Sequence, residues 1–138
     1  YNIYNYIMDK KIIIQAFNNT FGEYLNEVVK LFPEYTYLKK SKNNFKIINT
    51  MAPKAIIDVW YRYINIQYND EILRGEIDYF LNKDYSEDLL NLGNDKREVL
   101  EFINNIREPL KNLDDKNKEI SVNYLQNLCK LAEAYNIN

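Results

Sequence analysis

The thirteen residues 77–89, IDYFLNKDYSEDL, hold four carboxylates and three aromatic rings, the densest set of chemically capable side chains in the sequence. Carboxylate oxygens bind Mg²⁺ or Ca²⁺, and a pair of carboxylates can hydrolyse a glycosidic bond. A calcium loop needs acids at its first, third and fifth positions and glycine at its sixth. Counted from Asp84, the third position is Ser86 and the sixth is Leu89, so the segment does not fit a calcium loop.

A helix junction explains the same acids. The stretch from Asp84 to Glu87 has the capping-box form, in which Asp84 caps a helix N-terminus and Glu87 reaches back to it. The helix dipole also favours the negative charges of Glu87 and Asp88 in a first turn. The pattern therefore predicts two helices that meet near Asp84, the second of which ends at Gly93. Ser86 could also suit an acid-directed kinase, but the cap accounts for its neighbours without one.

The sequence contains no histidine and one cysteine, which excludes several kinds of catalytic centre. Without imidazole there is no Ser-His or Cys-His nucleophile pair, and the commonest general base is missing. One cysteine cannot supply the ligands of a structural zinc, and the three dispersed glycines form no phosphate-binding loop. We therefore expect a protein that is not an enzyme and that uses no metal or cofactor. An enzyme with paired carboxylates and Mg²⁺ is the remaining catalytic hypothesis.

Cys129 lies on an apolar stripe with Leu125 and Leu128, which predicts a small buried thiol. A single cysteine forms no intramolecular disulfide, so the composition indicates an intracellular, reducing compartment. No secretory signal is visible in the first residues, and no apolar run is long enough to span a membrane. The net charge of −2 gives no overall attraction to nucleic acid or to an anionic membrane.

Apolar residues recur at intervals of three and four along almost the whole chain, which predicts helices throughout. The first helix covers 9–32 and is stopped by Pro33, a second lies within 36–50, and Pro53 opens a third. No segment has the alternation of a strand. The sequence therefore predicts an all-α fold: a single compact bundle of about six to seven helices, with no sheet, formed by residues 9–138.

Local features refine this prediction. Residues 1–8 are expected to be a flexible N-terminal extension, because a sequence typical of a translation start follows the first seven residues. Gly75 has no turn signal around it and indicates close helix packing or a local break. Asp95 and Glu98 form a second capping box. Pro109 should kink or divide the helix that this box opens.

Charge is distributed unevenly between two neighbouring segments. Residues 35–68 contain six basic residues and one acid, a net charge of +5, whereas residues 69–89 contain seven acids and two basic residues, a net charge of −5. In the first segment, YLKKSKNNFK interleaves rings with lysines, a composition suited to phosphate contacts and base stacking. The two segments could instead neutralise each other within the fold or pair between molecules of a homo-oligomer. The candidate phosphate contacts are Lys39, Lys40, Lys42 and Lys46.

Aromatic residues are more abundant than a small core needs: thirteen Tyr, six Phe and one Trp. Tyr and Trp are enriched at protein interfaces, where the ring is buried and the polar end binds the partner. An A/T-rich genome would also raise the tyrosine content without any role in binding. The acids of 76–88 would form a charged rim beside these rings. We therefore predict a partner surface made of Trp60, Tyr61, Tyr63 and Tyr85.

Three stretches resemble uncharacterised small helical proteins of large nucleocytoplasmic DNA viruses of protists: FNNTFGEYLNEVVKLFPE at 17–34, MAPKAIIDVWYRYI at 51–64 and EILRGEIDYFLNKDYSEDL at 71–89. The resemblance covers residues 12–89. It implies a viral protein, located in the host cytoplasm or in the virion. It implies no activity, because the similar proteins have none assigned.

The sequence thus supports two functional hypotheses. The first is a non-enzymatic helical module for protein–protein interaction, which acts through the predicted aromatic surface and its acidic rim. The alternative is a nucleic-acid-binding accessory factor that uses the basic segment 39–46. The two differ in their dependence on salt, because contacts to phosphates release bound counterions and weaken steeply as the salt concentration rises.

Overall fold

A computed structural model describes the backbone of residues 3–137 and the side chains of residues 10–137. A π-helical turn, Tyr61–Asn65, joins two of the helices without a break, so the described residues form seven continuous helices. They contain no strand, which confirms the prediction of an all-α bundle. The helical segments are α1 (Ile3–Leu31), α2 (Thr36–Met51), α3 (Pro53–Trp60), α4 (Ile66–Leu73), α5 (Asp78–Asn82), α6 (Ser86–Leu90), α7 (Asn94–Leu110) and α8 (Asp115–Ile137).

The helix α3 lies at the centre of the bundle, where it packs against α1, α2, α7 and α8. Around it, α1 runs along α8, and α2 runs along α7. Aromatic rings fill the middle: the ring centroid of Phe21 lies 5.5 Å from that of Phe45, 5.4 Å from that of Phe102 and 6.0 Å from that of Trp60. All four rings are buried. They form the centre of the core because large rings remove the most apolar surface from water.

Two polar contacts hold the π turn of the central helix. The Tyr85 hydroxyl donates a hydrogen bond to the carbonyl oxygen of Tyr63 at 3.0 Å. The Asn65 side-chain amide donates to the carbonyl oxygen of Cys129 at 2.9 Å. A π turn disturbs the regular hydrogen bonding of a helix, and buried backbone carbonyls need partners. The Tyr85 hydroxyl supplies one, and the two contacts tie the central helix to α8 and to the segment before α6.

Gly75 follows α4 in a conformation that favours glycine. Its φ is +84°, and its N–H donates to the Ile72 carbonyl at 2.9 Å. The next N–H, of Glu76, donates to the Glu71 carbonyl at 2.8 Å. This pair of bonds is a Schellman motif, which satisfies the last carbonyls of a helix. Gly75 therefore ends a helix, and the close packing that the sequence suggested there is absent, since a Cβ would have 4.0 Å to its nearest neighbour.

Residues 77–89 form the predicted helix junction, but its caps differ from those expected. The Asp84 carboxylate accepts hydrogen bonds from the Ser86 hydroxyl at 2.6 Å and from the Ser86 N–H at 2.9 Å. These two bonds lower the pKa of the Asp84 carboxyl. The N-cap of α6 is Tyr85 and not the predicted Asp84, and no side-chain hydrogen bond caps the helix. Glu87 makes no reciprocal bond in the described part of the chain, so the predicted capping box is wrong. The helix α6 ends at Leu90, before the predicted Gly93.

The helix α7 also begins and ends differently from the prediction. It starts at Asn94 with Gly93 as its N-cap, and no side-chain hydrogen bond caps it. The predicted capping box at Asp95 is therefore wrong. Pro109 lies one residue before the end of α7. The helix ends at the next residue, so Pro109 does not divide a longer helix as predicted.

The beginning of the chain is described in part. The backbone of residues 3–8 continues α1, and residues 1 and 2 lie outside the described residues. The flexibility predicted for residues 1–8 and the single domain predicted for 9–138 stay predictions. Among the described residues, no helix is both long enough and apolar enough to cross a membrane.

Candidate functional site

Arg107, on the inner face of α7, has the most unusual environment of any charged side chain. It is only 6% exposed. One terminal nitrogen donates to the Phe80 carbonyl at 2.7 Å, and the other donates to the side-chain oxygen of Asn104. The guanidinium carbon lies 4.6 Å from the centroid of the Tyr85 ring and 5.8 Å from that of Phe80. The guanidinium thus fixes α5 and the segment before α6 against α7.

Asp84 and Glu108 favour the charged form of Arg107 by Coulomb attraction, but they act from beyond ion-pair distance. Within the described residues no carboxylate forms an ion pair with it, and its Nε has no hydrogen-bond partner. Burial lowers the pKa of the guanidinium. Burial also raises the pKa of Tyr85, so the ring beside the guanidinium stays neutral. Buried charges are ordinarily paired, because taking a lone charge out of water is costly. The unpaired cation therefore marks a place that would stabilise an anion.

Arg107 lines a cleft of about 330 Å³ between α2, α5 and α7. Lys83 and Lys111 line it as well, and Glu108 is its one carboxylate, so the lining carries a net charge of +2. Glu108 is already engaged, because its Oε2 lies 3.1 Å from Nζ of Lys111. Cations together with amide donors are the groups that bind carboxylate and phosphate oxygens. The remaining lining is phenol, apolar and amide: Tyr37, Leu81, Asn82, Asn104 and Asn105.

The cleft continues along the seam between α2 and α7. Tyr37 and Asn105 also line a second cleft, of about 200 Å³, which contains Lys40 and two glutamates of α7. The Asn105 side-chain amide donates to the Ser41 hydroxyl at 3.1 Å, and this bond joins the two helices between the clefts. The glutamates offset the charge of Lys40. The cationic part of the groove is therefore the end at Arg107.

Two of the four residues predicted to form a partner surface are buried. Trp60 and Tyr85 are 0% and 1% exposed, so the prediction is wrong for both. Trp60 packs among core rings at centroid distances of 5.9 to 6.1 Å, and Tyr85 stacks on Arg107. An amphipathic ring can be buried or exposed with similar ease, and the packing of the helices buries both rings here. Tyr61 and Tyr63 are partly exposed, and their role in binding stays a prediction.

The four predicted phosphate contacts divide between two faces of α2. Lys39, Lys42 and Lys46 are spaced three and four residues apart, which places them in one stripe on a helix. Lys39 and Lys46 are exposed and Lys42 is partly exposed. Lys40 is turned toward α7, where it lines the second cleft. The segment α2 contains no acid. The first three lysines therefore stay together as candidate phosphate contacts, and Lys40 is separate from them.

Acids and the thiol give little support to a catalytic centre. No group of three or more acids or cysteines that could hold a metal ion is found in the part of the chain that the structure describes. Glu98 and Glu101 line the second cleft, but Glu101 pairs with Arg97 at 3.1 Å. Cys129 is buried, as the sequence predicted, and burial raises the pKa of its thiol to about 12. Such a thiol is a poor nucleophile. The carboxylate-enzyme hypothesis stays a prediction.

Comparisons with known proteins add no relative. Protein-family models, curated proteins and solved structures all fail to match the chain. The resemblance to viral proteins therefore stays a prediction, and function has to be argued from the residues themselves.

The sequence patterns did not single out Arg107, Lys83 or Lys111. One signal was present: Arg107 follows Ile103 by four residues and precedes Leu110 by three, so it occupies a core position of an apolar stripe. Arginine is almost never fully buried unless it is paired. A charged residue at a core position is thus a pointer to a site, but Lys83 and Lys111 carry no comparable signal because exposed lysines are common.

Proposed function

We propose that this protein is a non-enzymatic helical binding module that captures a partner protein through an anionic side chain placed in the Arg107 cleft. One observation carries the proposal: the buried guanidinium of Arg107, with which no carboxylate of the described residues forms a direct ion pair. A carboxylate or phosphoryl group of the partner supplies the missing charge. Lys83 adds a further cation to the attraction, and Lys111, which pairs with Glu108, lies beside it in the cleft.

The size and the lining of the cleft favour one side chain of a larger partner over a large free ligand. Its volume of about 330 Å³ is near the lower end of the range for small-molecule sites. Asn82, Asn104 and Asn105 provide amide donors and acceptors that orient the bound group. Charge-assisted hydrogen bonds to such a group are short and roughly twice as strong as neutral ones. The rest of the partner would lie over the seam of α2 and α7.

The test removes the two lysines of the cleft and leaves the fold alone. Lys83→Ala combined with Lys111→Ala keeps Arg107 and its contacts, and the lost pair with Glu108 is solvent-exposed and contributes little to stability. Lys116→Ala combined with Lys118→Ala removes the same charge from exposed positions of α8. The wild-type protein and both variants are immobilised and used to capture partners from the native host, and the captured proteins are identified by mass spectrometry.

We expect the wild-type protein and the α8 variant to recover the same partner, which an excess of inorganic phosphate displaces. The cleft variant should bind that purified partner about tenfold or more weakly, because the lost cations act on a desolvated anion. Equal binding by the cleft variant would place the interaction elsewhere on the surface. Failure of the wild-type protein to recover any specific partner would remove the proposal itself.

A nucleic-acid-binding accessory factor is the second candidate, and the stripe of Lys39, Lys42 and Lys46 favours it. These lysines share one face of a helix that contains no acid. None of the three forms an ion pair in the described part of the chain. Free lysines at regular spacing suit contacts to successive phosphates, which carry most of the affinity of sequence-independent binding.

Fluorescence anisotropy with a labelled single strand at low salt tests this candidate. Replacement of Lys39, Lys42 and Lys46 by Ala should flatten the plot of log affinity against log salt by about 2, since each phosphate contact on a single strand contributes about 0.7. Replacement of Lys96, Lys116 and Lys118 is the charge-matched control. A wild-type protein that forms no complex at low salt would dispose of the candidate.

Two further predictions from the sequence remain to be tested. Pairing of the segments 35–68 and 69–89 between copies would form a homo-oligomer that dissociates as salt screens the charges. Sedimentation velocity at low and high salt measures this directly. The viral origin, with a location in the host cytoplasm or the virion, also stays a prediction.

A further inference from the structure

A separate cavity, of about 480 Å³, lies where α1, the end of α2 and the start of α3 meet. It shares no lining residue with the Arg107 cleft. Its volume falls within the range of small-molecule sites. The inference drawn from it goes beyond the proposed function and does not depend on the Arg107 cleft.

The cavity attracts anions. Lys11 of α1 and Lys54 of α3 line it, both are exposed, and no acid among the residues with described side chains lines it. Pro53, which has no N–H to donate, lines the cavity at the start of α3. The negative end of the α2 dipole meets the positive end of the α3 dipole at this junction, because Ala52 ends one helix and begins the other. The attraction for anions therefore comes from the two lysines, which no carboxylate of the described residues opposes in the cavity.

Amide side chains supply hydrogen bonds for the uncharged part of a ligand. Asn18 donates through Nδ2 to the Asn49 side-chain oxygen at 2.8 Å and to the Pro53 carbonyl at 3.1 Å. The Asn49 side-chain NH₂ group donates no hydrogen bond among the described residues, so it can donate to a ligand. Asn18 is 3% exposed, and its own side-chain oxygen has no partner among the described residues. Gln15 and Asn19, one helical turn apart on α1, are exposed and line the cavity too.

Two apolar side chains line the cavity beside these amides. They are Ile14 and Pro53, and apolar side chains can contact the face of a base. Side-chain amides can donate and accept at once, which matches the hydrogen-bonding edges of nucleobases. Phosphate, base edge and base face are thus each provided for in one cavity, which distinguishes it from a simple patch of lysines.

We infer that the cavity at the junction of α1, α2 and α3 binds a nucleoside monophosphate unit, with its phosphate between Lys11 and Lys54 and its base edge on Gln15, Asn19 and Asn49. The unit is either a free nucleotide or one nucleotide of a single strand. Asn49 is three residues beyond Lys46 on α2, so a strand bound in the cavity would continue along the lysine stripe of that helix.

The test is a titration followed by ¹H–¹⁵N NMR of the full chain. The probes are the four nucleoside monophosphates, the matching nucleosides, inorganic phosphate and a single-stranded tetranucleotide. The site variants are Lys11→Ala with Lys54→Ala, which removes the anion contacts, and Gln15→Ala with Asn19→Ala, which removes the base contacts. All four positions are exposed, so the fold should persist, and circular dichroism checks this. Lys116→Ala with Lys118→Ala is the control.

At least one monophosphate should bind saturably, with shifts centred on the cavity, and more tightly than its nucleoside or inorganic phosphate. The lysine variant should weaken that binding about tenfold and the amide variant about fivefold, while the control leaves it unchanged. A tetranucleotide that binds much more tightly identifies a strand as the natural ligand, and equal binding identifies a free nucleotide. The inference is overturned by the absence of saturable binding, by equal binding of inorganic phosphate, or by site variants that bind like the wild type.

Discussion

The guanidinium carbon of Arg107 lies 4.6 Å from the centroid of the Tyr85 ring, and the hydroxyl of that ring donates to the Tyr63 carbonyl at 3.0 Å. A single side chain therefore connects the cation of the cleft with the π turn of the central helix. The same guanidinium donates to the Phe80 carbonyl at the end of α5. A ligand that displaces the Arg107 guanidinium would therefore disturb the contacts that hold α5 and the segment before α6 in place.

Arg107→Lys should destabilise the protein although the charge is kept. Lysine cannot stack a planar group on Tyr85 while donating to both Phe80 and Asn104. We expect a loss of about 1 to 3 kcal/mol in the free energy of unfolding, measured by urea denaturation. Arg97→Lys is the control, because Arg97 forms an exposed pair with Glu101. A fall of equal size in the control would show that the effect is not specific to the buried guanidinium.

Tyr85→Phe should cost about 1 to 2 kcal/mol of stability, because it leaves the Tyr63 carbonyl without the hydroxyl that it accepts from. The ring remains, so the stack on Arg107 and the packing are kept. Urea denaturation measures the loss, and Tyr79→Phe, at a ring that is 65% exposed, is the matched control. If Tyr85→Phe and Tyr79→Phe lose the same stability relative to the wild type, the Tyr85 hydroxyl contributes nothing to holding the π turn.

Gly75→Ala should destabilise the protein by about 1 kcal/mol, although the site has room for the added methyl. The reason is backbone conformation, since φ at Gly75 is +84° and the nearest atom to an added Cβ is 4.0 Å away. Gly93→Ala is the comparison, because no heavy atom lies within 4 Å of an added Cβ there and its φ is −86°. Thermal or urea unfolding of the two variants should show a larger loss of stability for Gly75→Ala than for Gly93→Ala, and the difference measures the backbone strain at Gly75.

The stability of the protein should fall above about pH 9. Burial raises the pKa of the Cys129 thiol from its ordinary value of 9.0 to about 12. The folded state thus keeps the proton that the unfolded state loses. The stabilisation from the Cys129 thiol is fully present below the pKa of the thiol in the unfolded state. It is lost as the pH rises toward the pKa of the thiol in the folded state, by up to about 1.4 kcal/mol per pH unit. Burial also raises the pKa of Tyr24 and of Tyr85, which act in the same direction at higher pH.

Urea denaturation at about pH 8 and about pH 10 measures this loss. Cys129→Ala should show a smaller decrease between the two values, because it has no thiol to ionise in the unfolded state. A decrease that is the same in the variant would assign the pH dependence to other groups. In the folded wild-type protein at neutral pH, the thiol should also react with an exposed-thiol reagent only after unfolding.

Local patterns predicted the helices well because helix formation depends mainly on neighbours three and four residues apart. Pro33 and Pro53 placed the end of α1 to within one residue and the start of α3 correctly, since proline constrains its own backbone and that of the residue before it. Caps were predicted less well. The capping box at Asp95 failed because α7 begins at Asn94 with Gly93 as its N-cap, and the capping box at Asp84 failed because Tyr85 is the N-cap of α6.

The sequence by itself determined an all-α chain, a buried Cys129 and the absence of histidine chemistry, because composition and short-range spacing are properties of the chain alone. Only the tertiary structure decided that Trp60 and Tyr85 are core residues and that Arg107, Lys83 and Lys111 share a cleft. The physical reason is that helix phase shows which residues share a face of one helix. Which face meets which neighbour depends on packing between segments far apart in the chain.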